Sequence, residues 1–193
     1  MTGTGTPTDA HSYEEYEAVV YDVDGTLVDL DVDWNAVAAD VLEVYADAGV
    51  EPPSRNLWDL LEAADDFGLA AAVEAVIASH EREGARTADR LPHADDLLGL
   101  AGTVPVGACS LNCEAACRIA LEEHGLTSAV GVVVGRDTVD AWKPDPEPLL
   151  EAVRGLAAEP ERTLFVGDSP RDEETARRAG TAFEYVGDGL SGV

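Results

Sequence analysis

The 193-residue chain reads as an α/β protein, a parallel sheet flanked by helices and interrupted once by a helical insertion. Three observations predict this. Val19-Val20-Tyr21 is an apolar run suited to a strand buried on both faces, and it ends abruptly in Asp22 and Asp24. From Pro92 onward, strand-like apolar runs alternate with amphipathic helical ones, the order a parallel sheet requires. Between these parts lies a long stretch of helical periodicity without a convincing strand, more than an ordinary crossover needs.

Taken in order, residues 1–16 show no periodicity and are expected to form a mobile tail. After the first strand, Trp34, Val37, Ala38, Val41, Leu42, Tyr45 and Ala48 recur at helical spacing. Asp33 suits the N-cap of that helix and Gly49 its stop. Pro52-Pro53 breaks the chain, and 57–64 and 69–78 read as two further helices. The block 31–91 is therefore expected to be a helical cap over the carboxyl end of the sheet. The core is then 17–30 together with 92–187. Within it the pattern predicts a short helix from Pro92, a strand over 104–110, a helix over 113–124 and a strand over 130–134. A helix over 147–157, a strand over 163–167, a helix over 171–179 and a strand over 182–186 complete it, and residues 188–193 are expected to fray.

Charge sets the surface. There are 39 acids against 12 bases, a net of −27, and Lys143 is the only lysine beside 11 arginines. With 46% hydrophobic residues this is a folded protein coated in acid, not a disordered acidic chain. Such a surface resembles that of proteins from salt-accumulating organisms, a halophile's; a basic protein partner is the alternative. Without a basic stripe, nucleic acid and anionic membranes are poor partners. Neither a spanning apolar run nor a signal pattern is visible, so the expected location is cytoplasmic. Cys109, Cys113 and Cys117 have neither zinc nor disulfide-framework spacing and read as small buried hydrophobes.

The chemistry sits at the strand ends. Asp22 and Asp24 stand where α/β sheets bind ligands, and carboxylates so close repel unless a cation or proton lies between them. Gly25 lets the backbone turn and offer N–H groups to an anion, although Asp-Gly is also a common surface turn. Asp22-Val-Asp-Gly-Thr-Leu-Val-Asp29 resembles the first motif of the haloacid dehalogenase superfamily. Three further segments resemble that family's later motifs, in order. Ser110 ends a strand before a helix, where an anion is favoured; Asn112, two residues on, is equally an ordinary helix cap. Lys143 opens a proline-rich helix start, and its retention among arginines argues against a merely solvated lysine. Asp168 and Asp172 form the fourth, where Asp172 is either metal support or half of a capping box with Ser169.

The resemblance implies a Rossmann-like core of five parallel strands ordered 5-4-1-2-3, with a helical cap inserted after the first. It implies that Asp22 is the nucleophile, Asp24 the general acid/base and Lys143 the third catalytic group. Gly25, Thr26, Ser110, Asn112 and Lys143 would bind phosphate. Asp22, Asp24 (through its backbone carbonyl), Asp168 and Asp172 would serve Mg²⁺. The implied activity is hydrolysis of a small-metabolite phosphate monoester, closest to the phosphoglycolate phosphatase-like group. An acid at position 24 argues against carbon dehalogenation, since a halide leaves without a proton. A sugar-phosphate mutase and a non-catalytic acidic binding protein are the alternatives. Arg55, Arg82, Arg86 and Arg90 are candidate specificity contacts from the cap.

Overall fold

A computed structural model describes residues 13–186. Residues 1–12 and 187–193, which include most of the expected tail and the expected frayed end, lie outside the described residues. Tyr13–Glu15 is a single 3-10 turn, and Tyr13 and Tyr16 pack on the core.

The central strand β1 (Ala18–Tyr21) is buried along its whole length. It pairs in parallel with β4 (Val106–Cys109) on one side and β6 (Thr163–Gly167) on the other. Strands β5 (Val132–Val134) and β7 (Ala182–Tyr185) complete the sheet in the order β5-β4-β1-β6-β7. Strand pleating sends alternate residues to opposite faces. Val19 and Tyr21 join one core cluster with Ala116, Cys117 and Leu121 of α5 (Glu114–Glu123). Val20 and Phe165 join another with Leu149 and Val153 of α6 (Glu147–Gly155) and Ala176 of α7 (Pro170–Ala179). Cys109, Cys113 and Cys117 are free and buried, as their spacing suggested.

The chain leaves and re-enters this core through a small antiparallel ribbon, β2 (Val28–Asp29) with β3 (Asp89–Arg90). No strand was expected between the first strand and residue 92. Two-residue strands have no readable period, and these partners are separated by the whole insertion. Between them lie α1 (Trp34–Asp47), α2 (Leu57–Ala63) and α3 (Ala70–Arg86). Asp33 caps α1 as expected, its carboxylate accepting from the N–H groups of Asn35 and Ala36 at 3.0 and 3.2 Å. Val37, Val41, Tyr45, Leu60, Val73 and Ile77 give the insertion a core of its own.

The third helix runs two turns past its expected end at Ala78. The polar run from Ser79 hid a continuing buried face of Ala78, Glu81, Gly84 and Ala85. Its second half packs on the sheet's cluster rather than on the insertion's. Gly84 permits the approach, because a Cβ there would lie 2.6 Å from the Asp31 carbonyl oxygen. Helix α4 (His93–Leu100) follows the ribbon. The strand expected from Val104 begins only at Val106, after Pro105, whose missing N–H cannot join a ladder.

Candidate active site

The register Tyr21↔Val166 and Tyr21↔Ala108 carries Asp22, Asp168 and Ser110 to one end of the sheet. The Asp22 N–H donates to the Val166 carbonyl at 2.8 Å, extending the ladder one residue beyond the strand. The chain then folds into a tight loop in which Leu27 and Val28 N–H groups both donate to the Val23 carbonyl, at 2.9 and 3.0 Å. Asp24 is fixed by the Leu30 N–H, which donates to its Oδ1 at 2.9 Å. Burial pushes the Asp24 carboxyl up to about 6, against that hydrogen bond.

Gly25 and Thr26 sit inside the loop. Their N–H groups donate within the loop, to Val28 O at 2.8 Å and Val23 O at 3.3 Å, and neither residue lines the pocket. Gly25 is required for another reason. Its φ is +82°, and a Cβ would stand 2.3 Å from Asp168 Oδ2, so glycine lets the two motif loops touch. Thr26 is fully buried behind the loop, its hydroxyl unpartnered among the described residues.

Lys143 is only 2% exposed. Its Nζ donates to Asp22 Oδ1 at 2.9 Å, Asp172 Oδ1 at 2.5 Å and the Cys109 carbonyl at 3.3 Å, and lies 5.4 Å over the Phe165 ring. Burial opposes its charge, but the two flanking carboxylates win and raise its pKa above the usual lysine range. For Asp22, burial raises the carboxyl's pKa and Lys143 pulls it back. Asp172 has a structural role that capping alone did not suggest. It forms the capping box with Ser169, and its other oxygen holds Lys143. Asp22, Asp168 and Asp172 each offer an oxygen within 4.8 Å of the others.

At the end of β4 the Ser110 hydroxyl donates to Asn112 Oδ1 at 3.1 Å. Cys113, not Asn112, is the N-cap residue of α5, so ordinary capping does not account for Asn112. The first N–H groups of α5 are engaged by carboxylates, Cys113 by Glu81 at 2.9 Å and Glu114 by Asp137 at 2.7 Å. Asp22, Asp24, Ser110, Asn112, Lys143 and Asp168 all line one pocket of about 550 Å³, while Asp172 stands behind Lys143.

Residues 19–186 match the family described as haloacid dehalogenase-like hydrolase. The chain belongs to that family. It is 32% identical over 195 residues to a phosphoglycolate phosphatase of Rhodospirillum rubrum, covering 91% of this chain and 81% of that one. It is 29% identical over 182 residues to an N-acetylmuramic acid 6-phosphate phosphatase of Pseudomonas aeruginosa, covering 86% and 79%. Among solved structures, a HAD-superfamily hydrolase (subfamily IA, variant 1) of Geobacter sulfurreducens superposes with a TM-score of 0.60 at 27% identity, covering 87% and 88%. The parallel order β5-β4-β1-β6-β7 is the expected order of this family, read from the other edge.

A haloacid dehalogenase-like site of this kind fits a hard divalent cation on its donor set alone: several carboxylate oxygens converge beside the Lys143 ammonium. Both Asp172 oxygens are already engaged, by Lys143 and by Ser169, which leaves Asp22 and Asp168 as the more open oxygen donors. Sequence reasoning missed several pocket and support residues. Trp34 and Trp58 of the insertion line the pocket, their ring centroids 6.3 Å apart, and the Arg171 guanidinium lies 5.5 Å over Trp58. Arg82 and Arg86 line a separate hollow, Arg90 pairs with Asp95, and Arg55 is not on the pocket wall; none is a pocket contact. Glu81, completely buried on α3, was legible as a carboxylate in the apolar i, i+3, i+4 stripe of a helix.

Proposed function

We propose that this hydrolase is a Mg²⁺-dependent phosphatase that cleaves a small-metabolite phosphate monoester through a phosphoryl group carried on Asp22. The observation that carries this is the arrangement of Asp22. One carboxylate oxygen is held by Lys143 at 2.9 Å, and the residue lines the same pocket as Asp24 and Ser110.

In the first half-reaction a free Asp22 oxygen attacks phosphorus in line, and the ester P–O bond breaks. Asp24 gives its proton to the departing alkoxide, and its raised pKa supports that role by keeping the acid form available near pH 6. In the second half the Asp24 carboxylate takes a proton from water, which displaces phosphate from Asp22. Lys143 orients the nucleophile, and Lys143 and the Ser110 hydroxyl are the protein donors nearest to where charge develops. Asp22 and Asp168, with the Asp24 backbone carbonyl, would hold Mg²⁺, which supplies charge neutralisation between nucleophile and anionic substrate; Asp172 supports them from behind Lys143.

The block 31–91 serves as the cap, with Trp34 and Trp58 facing the entrance. Two similar proteins are named for different phosphate esters, so the substrate is taken as a small phosphorylated metabolite of the phosphoglycolate type. Hydrolysis of p-nitrophenyl phosphate with and without Mg²⁺ tests the reading; no release of phosphate from any of a panel of metabolite esters overturns it. No helix among the described residues is long and apolar enough to cross a membrane. We further read the −27 charge as an adaptation to a salt-rich cytoplasm. Screening shortens to about 3 Å at 1 M salt, so melting temperature and rate should both rise between about 0.1 and 2 M KCl. A flat or falling melting temperature would point to a basic partner instead.

A further inference from the structure

Behind the pocket lies a buried ion network that the reaction above does not use. Arg136, just past the end of β5, is 3% exposed. Its Nη1 and Nη2 donate to Glu81 Oε1 and Oε2 at 2.7 and 3.1 Å. Its Nε and Nη2 donate to the two oxygens of Glu74 at 3.0 and 2.7 Å, and Nη1 reaches the Leu111 carbonyl at 2.5 Å. Glu81, fully buried, also accepts from the Cys113 N–H at 2.9 Å and from Asn112 Nδ2 at 3.4 Å.

Both glutamates belong to α3, an insertion helix, whereas Leu111, Asn112 and Cys113 form the loop that carries Ser110. Each end of the network thus holds one side of that loop: Arg136 its carbonyl, Glu81 its amide side chain and its N–H. Asn112 in turn accepts from the Ser110 hydroxyl at 3.1 Å, so the chain of contacts ends on a proposed phosphate contact. A buried ion pair is poor evidence for stability by itself, since desolvation offsets its attraction. Its geometry is informative instead. The donors form a planar fork matched to two carboxylates, which fixes position as well as charge.

We propose that Glu81 and Arg136 are positioning residues that lock the Ser110–Asn112 loop in its phosphate-binding shape and make that shape depend on the docking of α3. The inference rests on the phosphatase reading above for its enzymatic readouts, though binding of inorganic phosphate reports on the loop without turnover. It also implies that the Ser110 loop is held only while the second half of α3 stays on the sheet.

The test is Glu81→Gln, which keeps the shape and one acceptor but turns one oxygen into a donor facing Arg136 and either Asn112 Nδ2 or the Cys113 N–H. The inhibition constant of inorganic phosphate and the KM for p-nitrophenyl phosphate should each rise about tenfold, with the Mg²⁺ activation constant unmoved. Ser110→Ala should cost much less in the Glu81→Gln background than in the wild type, because both act through one loop. A role in stability alone gives the opposite pattern: fewer active molecules, hence lower apparent kcat, with KM and phosphate inhibition unchanged. That pattern, or additive effects of the two substitutions, overturns the proposal. If Glu81→Gln does not fold, Glu74→Gln, partly exposed and further from the loop, is expected to shift phosphate inhibition about threefold in the same direction; no shift there also overturns it. If the wild type releases no phosphate from any ester, the phosphatase reading fails, and calorimetric binding of inorganic phosphate then decides this one. Equal affinity in wild type and variants, or no binding in either, rejects it.

Discussion

The two walls of the pocket are built differently. The wall from the sheet is a set of buried and half-buried groups that fix one another: Asp22 and Asp172 on Lys143, Ser169 on Asp172, Leu30 on Asp24. The wall from the insertion is two tryptophans, of which Trp34 is 36% exposed, with Arg171 of the core laid against Trp58. A buried, hydrogen-bonded group has one position and resists change; an exposed ring has room to move. This difference underlies our proposal that the first wall carries the chemistry and the second the choice of substrate.

The contrast breaks most sharply at Asp22. Asp22→Asn fills the same volume but cannot attack phosphorus, so turnover should fall by more than about a thousandfold while the protein folds. Hydrolysis of p-nitrophenyl phosphate within tenfold of the wild type would remove Asp22 as nucleophile. Lys143→Arg comes next. A guanidinium cannot occupy a space bounded by two carboxylates, the Cys109 carbonyl and the Phe165 ring without displacing one of them. The expected loss is about 3 kcal/mol in the barrier, roughly a hundredfold in rate; near-normal kinetics would mean the buried wall tolerates change after all.

Asp24 gives a pH test. Its carboxyl is raised to about 6, and the acid form is the one that protonates an alkoxide. With a poor alkyl leaving group the rate should therefore fall about tenfold per pH unit above that value, while p-nitrophenyl phosphate, whose leaving group needs no proton, lacks this limb. The same profile for both esters would place the acid elsewhere. The smallest effects belong to the insertion wall. Arg171→Ala and Trp58→Leu should raise KM by about three- to tenfold with kcat changed less than twofold, the signature of lost ground-state binding. A fall in kcat equal to that of Lys143→Arg would erase the distinction between the walls.

Much of this was legible in the chain because strand ends are written locally. Asp22, Ser110 and Asp168 each follow a short apolar run, and the sheet brings those ends together whatever the detailed packing. Asp33 as a cap and the three inward cysteines were equally local matters. Gly25 was noticed for its turn, and the structure adds a second demand on it. A glycine's freedom shows in the sequence, but that Asp168 presses against it does not.

The sequence by itself determined the alternation of strands and helices, the acidic surface and the place of each motif at a strand end, because hydrophobic period and strand-terminal residues depend only on neighbours along the chain. The tertiary structure alone decided which partners those residues have. Asp172 proved to be both cap and lysine anchor, the candidate specificity arginines do not line the pocket, and Arg171, Trp34 and Trp58 do. The ribbon β2–β3 and the Glu74–Arg136–Glu81 network join residues about sixty positions apart. Burial and distance across such separations set hydrogen bonds and pKa values, and no local pattern encodes them.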